Sequence, residues 1–289
     1  AYLAWMVVLF CFVIQAVSYE YRRKANNFLG ERTYNAFLVV NGILGTICIG
    51  AVVSSFFTGN PFTLGDMNQV TWQSAWRGLE VLFSFTNLCL GFSIFFLART
   101  LAVLYFLNNI DNDAIYERSR QQVVRNSLPF VILFVTFLIL ILCKDGYGIQ
   151  ANGDVALVPY KYFHNLLEMP LNTTLLVIGI AGVLFGIIKT ILHKQWRKGI
   201  WYAGFGVILT VIALFILAGF NNTAFYPSYT DLNSSLTIHN ASSSHYTLET
   251  MAYVSIITPL VIAYIFYAWR ALNKKRINLE EIKEDHHAY

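Results

Sequence analysis

Residues 170–192 read PLNTTLLVIGIAGVLFGIIKTIL, an apolar run whose one charged residue, Lys189, lies near its end. A hydrocarbon core about 30 Å thick is crossed by roughly 20 helical residues, so this stretch is long enough to span a membrane. Inside a membrane the backbone hydrogen bonds must be made within a helix or a closed barrel. Because the apolar residues here are continuous and do not alternate with polar ones, we predict a transmembrane helix.

Six further runs of the same kind surround this stretch. The 289 residues are 56% hydrophobic and 12% charged, whereas a soluble domain has about 25% charged and 45–50% apolar residues. This composition excludes a soluble or nucleic-acid-binding protein. We predict an all-α transmembrane bundle that forms one domain over residues 1–289, with spans at about 2–17, 34–57, 79–98, 126–143, 170–192, 200–220 and 248–269.

The basic residues fall mostly on one side of these spans. Of the 20 lysines and arginines, 17 lie on that side, and the other side holds three, Arg77, Lys144 and Lys161. The more basic side of a membrane protein is cytoplasmic, which predicts an N-terminus outside and a cytoplasmic C-terminus. The chain starts with Ala1 and enters an apolar run at once, so we expect that upstream sequence is missing.

The span centres offer few groups for chemistry. Ionisable residues at membrane depth mark transport paths, and a haem needs an axial ligand such as His, Met or Cys. No histidine lies in a span centre, and the four cysteines are scattered singly over four spans. We therefore expect no haem site, metal centre or disulfide framework. A secondary transporter, which needs a polar midplane site, and a purely structural membrane subunit are the alternatives.

Three local features carry structural predictions. Gly182 and Gly186 form a GxxxG motif that Gly179 extends, and such small faces let helices pack closely. Pro259 should kink the last span, with Ser255 and Thr258 able to bond the freed carbonyls. The polar connector 107–125 should be helical, with Asp111 or Asn112 as its N-cap.

The last outer loop carries a family resemblance. Residues 225–228 read FYPS and residues 233–251 read NSSLTIHNASSSHYTLETM. This pattern resembles subunit II of the cytochrome bd-type quinol oxidases, which have an aromatic-Pro step and an SLTI.NASSS..TL..M run before the last helix. Residues 16–22, AVSYEYR, match a second family pattern, although Gln15 stands where the family has Arg. Weaker matches are Gly91 with Arg99-Thr100, and the basic turn before Trp201.

The resemblance implies a non-haem subunit of a respiratory quinol:oxygen oxidoreductase in the bacterial inner membrane. The family fold has nine helices, of which seven would be present. Subunit I, the larger partner, would hold two haems b and a haem d, oxidise quinol and reduce O2 to water. This chain would support subunit I and proton access, with no catalytic centre and no bound cofactor beyond a structural quinone or lipid. A small single-helix subunit would be a further partner, and nucleic acid would not. The choice between ubiquinol and menaquinol stays open.

The site residues suggested by this resemblance are Glu20, Arg22 and Arg99. All three lie at the predicted cytoplasmic ends of spans. We interpret them as candidates for proton entry or for contact with subunit I. The alternative for Glu20 and Arg22 is an exposed cluster of charges beside the membrane, and for Arg99 it is an interfacial anchor.

Overall fold

A computed structural model describes residues 2–24, 27–65 and 67–272. Ala1 and the basic tail after residue 272, both used in the orientation argument, lie outside the described residues. The helices are α1 (Tyr2–Tyr21), α2 (Glu31–Thr58), α3 (Phe85–Asn109), α4 (Asp113–Cys143), α5 (Lys161–Glu168), α6 (Pro170–Leu192), α7 (Gly199–Gly219), α8 (His245–Ser255) and α9 (Thr258–Leu272).

Seven helical segments within these ranges are long and apolar enough to cross a membrane, with α8 and α9 together forming the seventh. This confirms the predicted all-α bundle of seven spans. Chain neighbours pack on one another: α1 on α2, α2 on α3, α3 on α4, and α6 on α7. The group formed by α1 to α4 contacts the pair formed by α6 and α7 in two places, where α3 packs on α7 and where α4 packs on α6. The helices from α2 to α7 thus enclose two main clusters of buried apolar residues, one around Phe137 and one around Leu104.

Glycines allow the closest helix contacts. A Cβ placed on Gly206 of α7 would lie 2.6 Å from the carbonyl oxygen of Gly179 in α6. A Cβ placed on Gly50 of α2 would lie 2.7 Å from the Cα of Gly91 in α3. Such distances leave no room for a side chain, so the predicted packing role of the α6 glycines is confirmed.

Two helices differ in extent from the predicted spans. The third span was expected to start at residue 79, but Leu79–Phe83 is a separate 3-10 helix and α3 runs from Phe85 to Asn109. Helix α4 begins at Asp113, well before the predicted residue 126, and its 31 residues extend about 46 Å. The Asn112 side chain accepts a hydrogen bond from the Ile115 N–H, which confirms this residue as the cap. Hydropathy identifies only the apolar part of a helix. The polar first part of α4, from Asp113 to residue 125, was therefore not included in the predicted span.

The loops after α2 and α4, predicted to lie outside the membrane, contain short strands that hydropathy did not predict. Strand β1 (Phe62–Leu64) pairs with β2 (Val70–Trp72), and β3 (Gly146–Ile149) pairs with β4 (Val155–Val158), both antiparallel. Isolated bridges join Asn60 to Ser228, Gly148 to Thr223, and Tyr226 to Leu236. These pairings combine three outer loops into one folded cap.

The last span is broken, as Pro259 predicted. Helix α8 ends at Ser255 and α9 begins at Thr258. Ser255 Oγ donates a hydrogen bond to the Ala252 carbonyl at 2.6 Å, so it satisfies a carbonyl next to the break. No residue of α8 or α9 is buried, which distinguishes this span from the other six.

Candidate functional site

An apolar cavity of about 350 Å³ lies between α2, α3, α4, α6 and α7. Its lining is aliphatic and aromatic except for Thr210, whose Oγ donates to the Gly206 carbonyl at 2.8 Å. Buried water needs several polar partners, and this lining offers none that is unpaired. The cavity is therefore suited to an apolar molecule. Representative lining residues are Ile49, Leu90, Phe134, Val183 and Phe215.

The residues around this cavity do not fit a haem. None of the lining residues is His, Met or Cys, which are the usual axial ligands together with Tyr. Of the histidines within the described residues, His164 lies in the short helix α5, His193 and His245 lie at helix ends, and His239 lies in a loop. Across residues 2–24, 27–65 and 67–272, no three His, Cys, Asp or Glu side chains are placed to hold a metal ion.

Arg99 joins α3 to α4 near the basic end of the bundle. Its Nε donates a hydrogen bond to Asn126 Oδ1 at 2.8 Å, and its Cζ lies 5.5 Å from the centre of the Phe95 ring. Asn126 is buried and its Nδ2 donates to the Gln122 carbonyl at 2.7 Å. The rest of the Arg99 side chain is exposed, so its guanidinium can meet another charged group.

Glu20 and Arg22 lie together at the end of α1 but do not pair with each other. Glu20 forms an ion pair with Lys24, one helical turn later. The Arg22 guanidinium lies 6.0 Å from the centre of the Tyr19 ring. Among the described residues, no hydrogen bond or ion pair joins Arg99 to either of them. The three predicted site residues therefore occupy two separate places, one on α1 and one between α3 and α4.

The last-loop motif builds the outer cap. The Ser228 N–H donates to Ser235 Oγ at 2.9 Å, while Ser228 Oγ donates to the Phe62 carbonyl at 2.5 Å. The Leu64 N–H donates to Ser234 Oγ at 2.9 Å. Ser228, Ser234 and Ser235 are all buried. The hydroxyl groups of this motif thus tie the loop after α7 to the loop after α2.

A buried amide completes the cap. Asn165 of α5 is fully buried, and its Nδ2 donates to Thr223 Oγ at 2.8 Å. Its Oδ1 accepts a hydrogen bond from Asn221 Nδ2 at 3.0 Å. The Lys161 ammonium donates to the Asn221 carbonyl at 2.9 Å. Burial lowers the Lys161 pKa, an effect opposed by the nearby Glu168 carboxylate.

Two tyrosines lie deep in the same cap. Tyr147 of β3 donates a hydrogen bond to the Thr58 carbonyl at 3.1 Å. Burial first, and the neighbouring Tyr229 second, raise its pKa to about 12. Burial also raises the pKa of Tyr226 to about 12. Both hydroxyls are therefore protonated at neutral pH, and that of Tyr147 is a structural donor within the cap.

The sequence did not predict the hydrogen bonds of Asn165 and Tyr147 or the aromatic contacts of Lys189. The ammonium of Lys189 lies 5.0 Å from the Phe185 ring centre and 4.9 Å from that of Trp196. The helical spacing of Phe185 and Lys189 indicates part of this contact. No comparable signal in the sequence links Asn165 with Thr223, which lies 58 residues away.

Together, the helix bundle, its apolar cavity and the folded cap are those of a multi-pass membrane protein. A model of the family described as cytochrome bd terminal oxidase subunit II matches residues 1–272. The chain belongs to this family, and it is a multi-pass inner-membrane subunit of a respiratory oxidase. The predicted family is thus confirmed, and the oxidase subunit is supported over the transporter.

Individual relatives agree with this assignment. The chain is 25% identical over 280 residues to the probable cytochrome oxidase subunit 2 of Haemophilus influenzae, covering 93% of this chain and 71% of that protein. It is 22% identical over 302 residues to the cytochrome bd-I ubiquinol oxidase subunit 2 of Escherichia coli K12, covering 99% and 77%. The bd oxidase structure from Geobacillus thermodenitrificans has a similar fold, with a TM-score of 0.52 at 14% identity, covering 94% of this chain and 78% of that one.

Proposed function

We propose that this chain is the haem-free subunit of a quinol:oxygen oxidoreductase and has no catalytic centre of its own. The match to the subunit II family over residues 1–272 is the observation that carries this proposal. The cavity adds support, because its lining includes no axial ligand for a haem. The haems, two b-type and one d-type, and the oxidation of quinol are assigned to subunit I. Electrons from quinol then reduce O2 to water there.

The substrate class follows from the relatives. The Escherichia coli protein is named a ubiquinol oxidase subunit, which supports a quinol as the electron donor of this complex. The central cavity of about 350 Å³ is large enough for part of a structural quinone or a lipid chain. Because its lining is apolar, it would hold such a molecule by packing, with no hydrogen bond to a quinone carbonyl.

Subunit I would cover the faces that this chain leaves exposed. Helix α1 exposes large apolar side chains along its length, among them Trp5, Leu9, Phe10 and Phe12. Helices α8 and α9 have no buried residue. In a membrane such apolar faces contact either lipid or another helix, and we propose subunit I as the partner of these two. A small single-helix accessory subunit would occupy a further part of the same surface.

Glu20, Arg22 and Arg99 are proposed as residues that admit protons or contact subunit I. The Glu20–Lys24 pair is about half exposed, so it contributes little to stability and is available to water. The exposed guanidinium of Arg99 suits a carboxylate on a partner. Two separate roles fit these positions better than one shared site.

The experiment that tests the assembly is co-expression with a haem-bearing subunit I. We expect the two chains to co-purify with haem absorbance and with quinol-dependent oxygen uptake. Recovery of this chain as a haem-free monomer, with oxidase activity unchanged in its absence, would contradict the proposal.

Proton entry is tested separately with Glu20→Gln. Glu31→Gln is the matched control, because Glu31 is an exposed carboxylate in the first turn of α2. Slower proton-coupled turnover in the Glu20 variant alone would support the role in proton entry. Equal rates in both variants would remove it and leave the assembly proposal untouched.

A further inference from the structure

A second groove, of about 270 Å³, lies at the basic end of the bundle, where α3 ends, α7 begins and α9 approaches them. The groove is apolar along α7 and α9 and carries an amide pair from the end of α3. Residues that line it include Tyr105, Asn109, Trp201, Gly204, Phe205 and Trp269. It is separate from the central cavity, with which it shares no lining residue.

The amide pair leaves one hydrogen-bond donor unused. Asn108 Nδ2 donates to Asn109 Oδ1 at 2.7 Å. Asn109 is 8% exposed, and its Nδ2 has no hydrogen-bond partner among the described residues. A buried donor without an acceptor is unfavourable, so this side of the groove is suited to a ligand that brings an oxygen acceptor.

Among the residues that the structure describes, no acidic residue lines the groove, and basic residues are close in sequence to two of its lining residues, Ile200 and Trp269. Helix α7 starts at Gly199 beside the groove, and Lys198 precedes it without a side-chain cap. The first N–H groups of a helix lack partners within the helix, and the helix dipole favours an anion there. Lys198 is exposed, as is Arg270, which follows Trp269. An anionic headgroup therefore matches this end of the groove.

The remaining surface suits an acyl chain. The Trp201 and Trp269 rings meet at 6.0 Å with an angle of 79°, and tryptophans commonly lie at the membrane–water interface. Phe205 is 63% exposed, and a Cβ placed on Gly204 would meet no heavy atom within 4 Å. We propose that one anionic glycerophospholipid binds here, with its headgroup at the start of α7 and an acyl chain between α7 and α9. This lipid would attach the otherwise unburied last span to the bundle.

Photo-crosslinking of the assembled oxidase tests this proposal. The complex is placed in nanodiscs with a photoreactive phosphatidylglycerol or, in parallel, a photoreactive phosphatidylcholine or a photoreactive quinone. After illumination, labelled peptides are identified by mass spectrometry. Gly204→Leu fills the groove, and Asn109→Asp keeps the side-chain size but repels an anion. Gly42→Leu is the matched control, because Gly42 is also a helical glycine with no heavy atom near its Cβ.

We expect phosphatidylglycerol to label residues 199–208 and 258–272 at least fivefold more than phosphatidylcholine, in wild type and Gly42→Leu alike. Labelling should fall at least fivefold in both groove variants, while haem absorbance shows that the complex is still assembled. Equal labelling by the two phospholipids, preferential labelling by the quinone, or unchanged labelling in Gly204→Leu would overturn the proposal. If Gly204→Leu does not assemble, Asn109→Asp decides the question.

Discussion

Arg99 and Asn126 form a direct hydrogen bond between α3 and α4, with 2.8 Å between Nε and Oδ1. Hydrogen bonds to charged groups contribute about 1.5–3 kcal/mol. We therefore predict that Arg99→Met and Asn126→Leu each destabilise the complex by about 1–3 kcal/mol. The double variant should lose less free energy of unfolding than the two single variants lose together, because both changes remove the same hydrogen bond. Thermal unfolding of the four proteins measures this coupling, and strictly additive losses would show that the bond contributes nothing.

The contact between α6 and α7 gives a packing prediction. Gly206→Ala would place a methyl group 2.6 Å from the Gly179 carbonyl oxygen, so the helices must separate. Overpacking of this kind costs about 1–3 kcal/mol. Gly42→Ala is the control, since nothing lies within 4 Å of a Cβ there, and it should be neutral or slightly stabilising. Equal melting temperatures for the two variants would contradict the close approach.

The buried Tyr147 predicts a loss of stability in alkali. Its pKa rises from 10.0 to about 12 in the folded cap, so the unfolded chain ionises first as the pH increases. The contribution of the protonated Tyr147 hydroxyl to the free energy of unfolding is fully present below pH 10.0. It amounts to at most about 2–3 kcal/mol. It should disappear as the pH approaches 12.

Thermal unfolding measured between about pH 9 and pH 11 checks this prediction. Tyr147→Phe should show a shallower pH dependence than wild type. The substitution should remove only part of the pH dependence of stability, because burial also raises the Tyr226 pKa to about 12. A Tyr147→Phe curve parallel to that of wild type would refute the assignment.

Cysteine labelling can test the predicted orientation. Cys143, at the cap end of α4, is exposed, while Cys11, Cys48 and Cys89 are buried. A membrane-impermeant maleimide added to intact spheroplasts should label Cys143 several-fold faster than the other three, and Cys143→Ser should remove the signal. Labelling only after the membrane is opened would place the cap on the cytoplasmic side and reverse the proposed topology.

Hydropathy and one loop motif predicted the bundle and the family, because each depends on local sequence. The run at residues 170–192 needed only its own composition to be assigned as a helix. The cap was harder to predict, because strands as short as Phe62–Leu64 gain their partners from distant loops. The pairing of Glu20 follows helical spacing, which favours Lys24, four positions away, over Arg22, two positions away.

The bond between the Leu64 N–H and Ser234 Oγ joins residues 170 positions apart. The ribosome synthesises Leu64 long before Ser234, and a domain of this kind completes its folding only as later segments emerge. The cap can therefore close only after six spans, α1 to α4, α6 and α7, have entered the bilayer. Until then, the buried serines and amides of the outer loops lack their partners. Closure of the cap thus becomes possible before the last span, α8 and α9, has been synthesised, and a nascent chain that stops short of Ser234 would present unpaired polar groups to chaperones and proteases.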